Sequence, residues 1–156
     1  MPYAYRPNVA VLMYRQTEKG KKIFIVERQG QPDHWQLPQG GLDGLDLISA
    51  GIKEIKEESG ADKLKVIAAY KNLYTYRFDK ENGKYKKSSK QSRHFGYRGQ
   101  KQGLLIVEFA GKDDELRVNY WDHSAWDWAA ESDLIARIHP CRREAAALYL
   151  KKLNDK

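Results

Sequence analysis

Over most of this chain apolar residues come in short unbroken runs, and in two places they fall at helical spacing; that contrast predicts the elements. NVAVLMYR, from Asn8 to Arg15, has too few polar positions for a half-exposed strand and predicts one buried on both faces. Glu18 to Gly20 supplies a turn, and KKIFIVER, from Lys21 to Arg28, predicts the antiparallel partner. Gln29 to His34 is a polar loop that delivers Trp35 to WQLPQGGLDGLDLISAGIKEIKEESGA, the stretch from Trp35 to Ala61. There Pro38, Gly40, Gly41 and Gly44 break regular structure, Asp46 is a good N-cap for a helix from about Leu47 to Ser59, and Gly60 is a natural stop. At 100° per residue Ile48, Ile52 and Ile55 fall within an arc of roughly 60°, and Glu54, Glu57 and Glu58 within a different arc of roughly 100°. The helix is expected to have a core side and a carboxylate side.

The remainder reads as strands and a closing helix. KLKVIAAYKNLYTYRF, from Lys63 to Phe78, predicts one long bent strand or two short ones, and the polar, basic segment after it a loop or hairpin tip. GLLIVEFAG, from Gly103 to Gly111, predicts a central strand, and a short strand is expected around Trp126 to Ala129. ESDLIARI and, after His139 and Pro140, CRREAAALYLKKL are helical. The order predicts an α/β (α+β) fold, a mixed sheet with helices packed on it. It lacks regular βαβ alternation, and neither G-x-G-x-x-G nor G-x-x-x-x-G-K-[ST] occurs, which disfavours a doubly wound nucleotide fold.

Composition narrows the class. The 156 residues suit a single domain over 1–156, and 31% charged residues with a mean hydropathy of -0.78 argue against a membrane protein. The N-terminal MPYAYRPN has no export signal, so a cytoplasmic location is expected. Cys141 is the only cysteine, which excludes an internal disulfide and a thiolate cluster. The net charge is +7, and its position matters more than its size: Lys80 to Gln102 holds eight Lys or Arg and one Glu, while the rest of the chain balances. Such a segment suits an anionic partner, a nucleic acid or a polyphosphate; a solvated loop has the same composition.

Three glutamates at i, i+3 and i+4 repel by a few tenths of a kcal/mol per pair, roughly, which a solvated helix face tolerates. Beside a Gly-rich turn the same trio offers clustered oxygen ligands to Mg²⁺ or Mn²⁺, with room for phosphates. A metal there would activate water and neutralise phosphate oxygens, while a remaining carboxylate takes the proton.

These residues carry a resemblance. Lys53-Glu54-Ile55-Lys56-Glu57-Glu58-Ser59-Gly60-Ala61 is similar to the second half of the Nudix hydrolase pattern G-x5-E-x7-R-E-U-x-E-E-x-G-U, with U aliphatic. RPNVAVLM, WQLPQGG, GQKQ from Gly99 to Gln102 and the WDW near Trp126 extend the likeness to its bacterial RNA pyrophosphohydrolase and dinucleoside polyphosphate hydrolase branch. The resemblance implies an α/β/α sandwich with a catalytic loop-helix-loop, and hydrolysis of a polyphosphorylated nucleotide or 5′-triphosphate RNA with Mg²⁺. It makes Gly40, Glu54, Glu57 and Glu58 the metal site, and Asp122 an assisting acid ahead of His123. It places Arg6, Arg28, Gln100 and Lys101 on the nucleotide side and Arg142 near a second nucleotide. Two positions differ from the pattern. The Gly40 spacing is one residue short, so the first box glutamate falls on Leu45 or Asp46, and Lys53 stands for the box arginine, without its bidentate fork. RNA-specific enzymes tend to carry an aromatic residue where this chain has Cys141.

Outside the box, Tyr76, Tyr85, Phe95 and Tyr97 lie in basic surroundings and suit base stacking, with core or hairpin packing as the plainer expectation, favoured for Tyr76. His34, His94, His123 and His139 form no metal spacing such as H-E-x-x-H, so zinc is not expected, and each reads as a loop or surface residue. Ser88, Ser89 and Ser92 lack a nucleophile-elbow context. No stable protein partner is inferable.

Overall fold

The buried run near the N-terminus is longer than its apolar core: β1 spans Tyr5–Thr17 and turns through Glu18 and Lys19 into β2, Gly20–Arg28. The computed structural model describes residues 5–77, 80–81, 84–85, 99–119 and 121–156. β1 and β2 pair only near their turn, from Tyr14 opposite Ile23 to Thr17 opposite Gly20, and then diverge. β3 (Trp35–Gln36) lies on β2 and β4 (Gln39–Gly41) on β1, so residues 35–41 fill the wedge between the diverging strands. β5 (Leu64–Arg77) precedes a small hairpin of β6 (Lys80–Glu81) and β7 (Lys84–Tyr85). β8 (Gly99–Phe109) runs parallel to β1 and antiparallel to β5, and β9 (His123–Ala130) pairs with β2. The sheet is mixed, as expected.

Strand alternation sorts the core into two faces. Ala10, Leu12, Ile23, Ile25, Leu104 and Ile106 meet α2 (Leu134–Arg137) and α3 (Arg143–Asn154) through Leu134, Tyr149 and Leu153. Val9, Val11, Phe24, Val26, Leu105 and Val107 meet α1 (Leu47–Ser59) through Leu47, Ala50 and Ile55. The result is an α/β/α sandwich, and it explains the unbroken apolar runs: both faces of β1, β2 and β8 are covered. Each fully buried aliphatic side chain contributes about 1.5–3 kcal/mol.

The ends of α1 match the sequence. Asp46 Oδ1 accepts the Ser49 N–H at 2.8 Å, and Gly60, at φ 73°, donates its N–H to Lys56 O. Its faces do not. Ile48 is 44% exposed and Ile52 half-buried; the buried stripe is Leu47, Ala50, Gly51, Ile55, Glu58 and Ser59. The expected core side and carboxylate side therefore overlap. A Cβ at Gly51 would press into the Leu105 side chain, so the glycine lets the helix close on β8 and turns Glu54 and Glu58 inward, toward the wedge.

Other boundaries shift modestly. The strand expected at Trp126 begins at His123, and the helix expected at Cys141 begins with a 3-10 turn, Pro140–Arg142, before α3. Ser88, Ser89, Ser92, His94, Phe95 and Tyr97 lie outside the described residues, as does the side chain of Tyr85. Among the described residues no helix is long and apolar enough to cross a membrane.

Candidate active site

The wedge brings carboxylates against backbone. Gly40, opposite Val9 in β4, lies so close to Glu54 that a Cβ there would collide with the carboxyl group. Glu54 is half-buried and Glu58 is 5% exposed. Burial raises the Glu54 carboxyl to about 8, helped by the charges of Glu58 and Glu57, a hydrogen bond with Glu58, and Asp122. Behind Glu58 stands His123, whose Nδ1 is in contact with Glu58 Oε2; neither atom makes a well-angled hydrogen bond. Glu57 behaves differently. It is exposed, and its Oε1 lies 3.8 Å from Lys53 Nζ, an exposed pair worth little. Glu54 and Glu58 therefore converge beside Gly40 while Glu57 turns outward. Of the two positions for the first box glutamate, Leu45 is exposed, and Asp46 is engaged by Ser49 as the helix cap.

A buried amide network ties the wedge to the helical layer. Gln102 Nε2 donates to Asn8 Oδ1 at 2.5 Å and to Gln39 Oε1 at 2.8 Å, while Tyr149 Oη donates to Gln102 Oε1 at 2.5 Å. Sequence reasoning missed these roles, although Asn8, Gln39 and Gln102 all lie inside the motifs that carry the family resemblance. In WDW, Trp126 and Trp128 pack on Phe24, and Asp127, on the opposite face, pairs with Arg137 at 2.7 Å.

On the α3 side of the sheet a cleft opens next to the carboxylates, and Arg28, Tyr76, Gln100, Asp122, His123 and Arg142 are among its walls. The Arg142 guanidinium lies 5.1 Å over the Tyr76 ring. Arg142 Nε and Gln100 Oε1 are buried without a partner among the described residues, which suits a polar ligand. The other two candidates sit apart. Arg6 lies over Gly41, 3.9 Å from Asp43, and Lys101 is exposed on the α1 side, like its strand neighbour Gly103, which abuts Leu47.

His34 and His139 lie in loops, as expected, though His34 is buried there; His123 corrects the expectation of a loop or surface residue, since it opens β9 and is buried. The His139 N–H donates to Trp35 O, which brings the His139 ring onto His34 at 4.0 Å between centroids. Cys141 Sγ is 3.0 Å from His139 Nδ1. Burial drives His34 down to about 4, with His139, Arg28 and Arg142 adding to it against the hydrogen bond that its Nε2 donates to Gln36 Oε1. His139 is lowered by burial and by Arg142, Arg143 and Arg28. His34 and His139 are far apart in sequence and carry no motif; only the fold joins them.

A model of the NUDIX domain matches residues 4–149. The chain belongs to the Nudix family. The RNA pyrophosphohydrolase of Wolbachia pipientis subsp. Culex pipiens (strain wPip) is 34% identical to it over 161 residues, covering 97% of this chain and 88% of that protein. Among solved Nudix-fold structures, a binary complex of the C. elegans Ap4A hydrolase superposes with a TM-score of 0.66 at 17% identity, covering 97% of this chain and 99% of that one. The E. coli dihydroneopterin triphosphate pyrophosphohydrolase gives 0.63 at 18%, covering 96% and 99%. As a Nudix protein the chain is a hydrolase of pyrophosphate bonds, and Nudix hydrolases generally need a divalent metal. The wedge fits one. Its donors are oxygens, the Glu58 Oε2 atom is buried without a hydrogen bond, and the like charges crowding Glu54 are what a cation would relieve.

Proposed function

We propose that this Nudix hydrolase removes pyrophosphate from 5′-triphosphorylated RNA to leave a monophosphate end, with Mg²⁺ as its metal. The observation that carries this reading is the convergence of Glu54 and Glu58 on Gly40 beside an arginine-bearing cleft, with His123 touching Glu58 and lining that cleft. The name of the Wolbachia relative supports the choice of RNA.

Glu54, Glu57, Glu58 and the Gly40 backbone would hold the metal. When bound, Mg²⁺ supplies positive charge for the phosphate oxygens and acidity for an attacking water. Glu57 or Asp122 would take a proton from the attacking water, and His123, in contact with Glu58, would keep that carboxylate in place. Arg28 and Arg142 hold phosphates, with Gln100 beside them, and the Arg142–Tyr76 stack faces a base. Arg6, next to Gly41, makes a phosphate contact on the wedge side. Lys101 acts by charge, from the α1 side of β8. A second reading, hydrolysis of a dinucleoside polyphosphate such as diadenosine tetraphosphate, is favoured by the exposed Cys141 in place of an aromatic residue.

The test is to incubate the protein with Mg²⁺ and, separately, triphosphorylated RNA and diadenosine tetraphosphate, and to identify the products. Monophosphorylated RNA is expected, and Glu57→Gln should lower turnover about 10²- to 10⁴-fold while RNA still binds. No product from either substrate, or undiminished turnover in Glu57→Gln, would overturn the reading.

A further inference from the structure

Three soft or borderline ligand side chains meet at the far wall of the cleft. The ligand atoms of His34, His139 and Cys141 all lie within 4.8 Å of one another, whereas the three box glutamates do not converge in this way among the described residues. The group is held by backbone on every side: Arg28 N donates to His34 O at 2.9 Å, His139 N to Trp35 O at 2.9 Å, and Arg142 N to His139 O at 2.8 Å. His34 Nε2 is 3.2 Å from Gln36 Oε1. Donation from Nε2 to that carbonyl oxygen fixes the tautomer and leaves the Nδ1 lone pair for a ligand, the outer support that metal-binding histidines ordinarily have.

We propose that His34, His139 and Cys141 form a Zn²⁺ site, separate from the carboxylate site, in the wall of the substrate cleft. The donor set decides the ion. One sulfur and two imidazole nitrogens suit Zn²⁺ and leave its fourth position to solvent, whereas Mg²⁺ strongly prefers oxygen. Ligand softness therefore sorts the two ions between the two sites. Both rings are neutral near pH 7, the form that binds metal, and the Cys141 thiol loses its proton to solvent as the zinc–sulfur bond forms. Arg28 and Arg142 flank the group and oppose a bare cation; the thiolate supplies the compensating charge.

Little movement is needed. Tetrahedral zinc places nitrogen and sulfur about 3.6 Å apart, so the His139–Cys141 contact of 3.0 Å opens slightly and Nδ1 exchanges the Cys141 N–H it accepts for the ion. The two ring planes lie within 14° of each other, so binding also tilts one ring off the stack. Because His34, His139 and Cys141 share the cleft with Arg28, Tyr76 and Arg142, bound zinc would compete with substrate, a consequence that rests on the function proposed above.

The experiment is a Co²⁺ titration of the freshly reduced protein in excess Mg²⁺. A thiolate-to-cobalt charge-transfer band should saturate at about one equivalent, vanish on adding Zn²⁺, persist in Glu54→Gln and be absent from Cys141→Ser. His34→Asn and His139→Asn should each weaken binding roughly tenfold or more. No band in the wild type, a band unaltered in both histidine variants, or one abolished in Glu54→Gln would overturn the proposal. Cadmium-113 NMR of the wild type needs no variant: a resonance typical of one sulfur with nitrogens supports the site, and one typical of oxygens alone overturns it. Zinc inhibition of turnover, relieved in Cys141→Ser, tests the competition. Absence of turnover would count against the proposed function, while the cobalt result would stand.

Discussion

At the scale of single residues, Gln102 shows how the carboxylate wedge is tied to the rest of the fold. Both donors of its amide and its carbonyl are engaged, by Asn8, Gln39 and Tyr149, so one side chain fastens β1, β4, β8 and α3 together. Burial pushes the Tyr149 phenol above its ordinary range, so it stays protonated and donates. Tyr149→Phe would leave Gln102 Oε1 buried with no partner, and should destabilise the protein by about 1–3 kcal/mol with the urea m-value unchanged. A change within about 0.5 kcal/mol would show that the network adds nothing to stability. Three motifs separate in the sequence, RPN, PQGG and GQKQ, are one hydrogen-bonded cluster in space. That link was illegible because a buried amide leaves no pattern until its partners are known. His34, His139 and Cys141 were hidden for the same reason, and only the length of the loop before β3 and the 3-10 turn before α3 bring them together.

At the scale of elements, α1 was legible at its ends and misread on its faces. Caps are local chemistry: Asp46 and Gly60 announce themselves through neighbouring backbone groups, so Leu47 and Ser59 were correct bounds. Which side is buried depends on the partner surface, and Gly51 against Leu105 turned Glu58 inward and left Ile48 outside. The inward turn has a measurable consequence. With a carboxyl near 8 in the folded protein against 4.5 in the ordinary group, Glu54 holds a proton in the folded state, over that interval, that the unfolded chain has released. Its contribution to stability without metal is complete below about pH 4.5 and disappears as pH rises through about 8. Bound metal replaces the proton, so its stabilising effect grows over the same window. In EDTA the melting temperature should fall between about pH 4.5 and pH 8, the shift produced by Mg²⁺ should increase over the same range, and Glu54→Gln should remove the fall. A pH-independent Mg²⁺ shift in differential scanning fluorimetry would show that Glu54 does not exchange a proton for the ion.

For the whole molecule, the question is whether the charge excess serves the cleft. The net +7 resides in Lys80 to Gln102, and the described strands show where that segment departs and returns: Tyr76 on β5 pairs with Gln100 on β8, and Arg77 with Gly99. Tyr76 and Gln100 line the cleft, beside Arg142. If the charge between them in sequence serves the cleft, a long anionic chain should depend on it more than a short substrate does. Replacing Lys86, Lys87 and Lys90 with glutamine should therefore weaken RNA binding and flatten its dependence on log salt by roughly 0.7 for each phosphate no longer neutralised, about 2 if all three lysines engage. Turnover at saturating RNA should be unchanged, because the proposed chemistry uses the wedge carboxylates and not these lysines, and the KM for diadenosine tetraphosphate should move much less than the KM for RNA. Fluorescence anisotropy at several salt concentrations measures the slope. An identical slope in the triple variant would mean that the segment touches no phosphates and that the excess charge is solvated. Equal weakening for both substrates would place those lysines within reach of a dinucleotide and favour the second reading of the substrate.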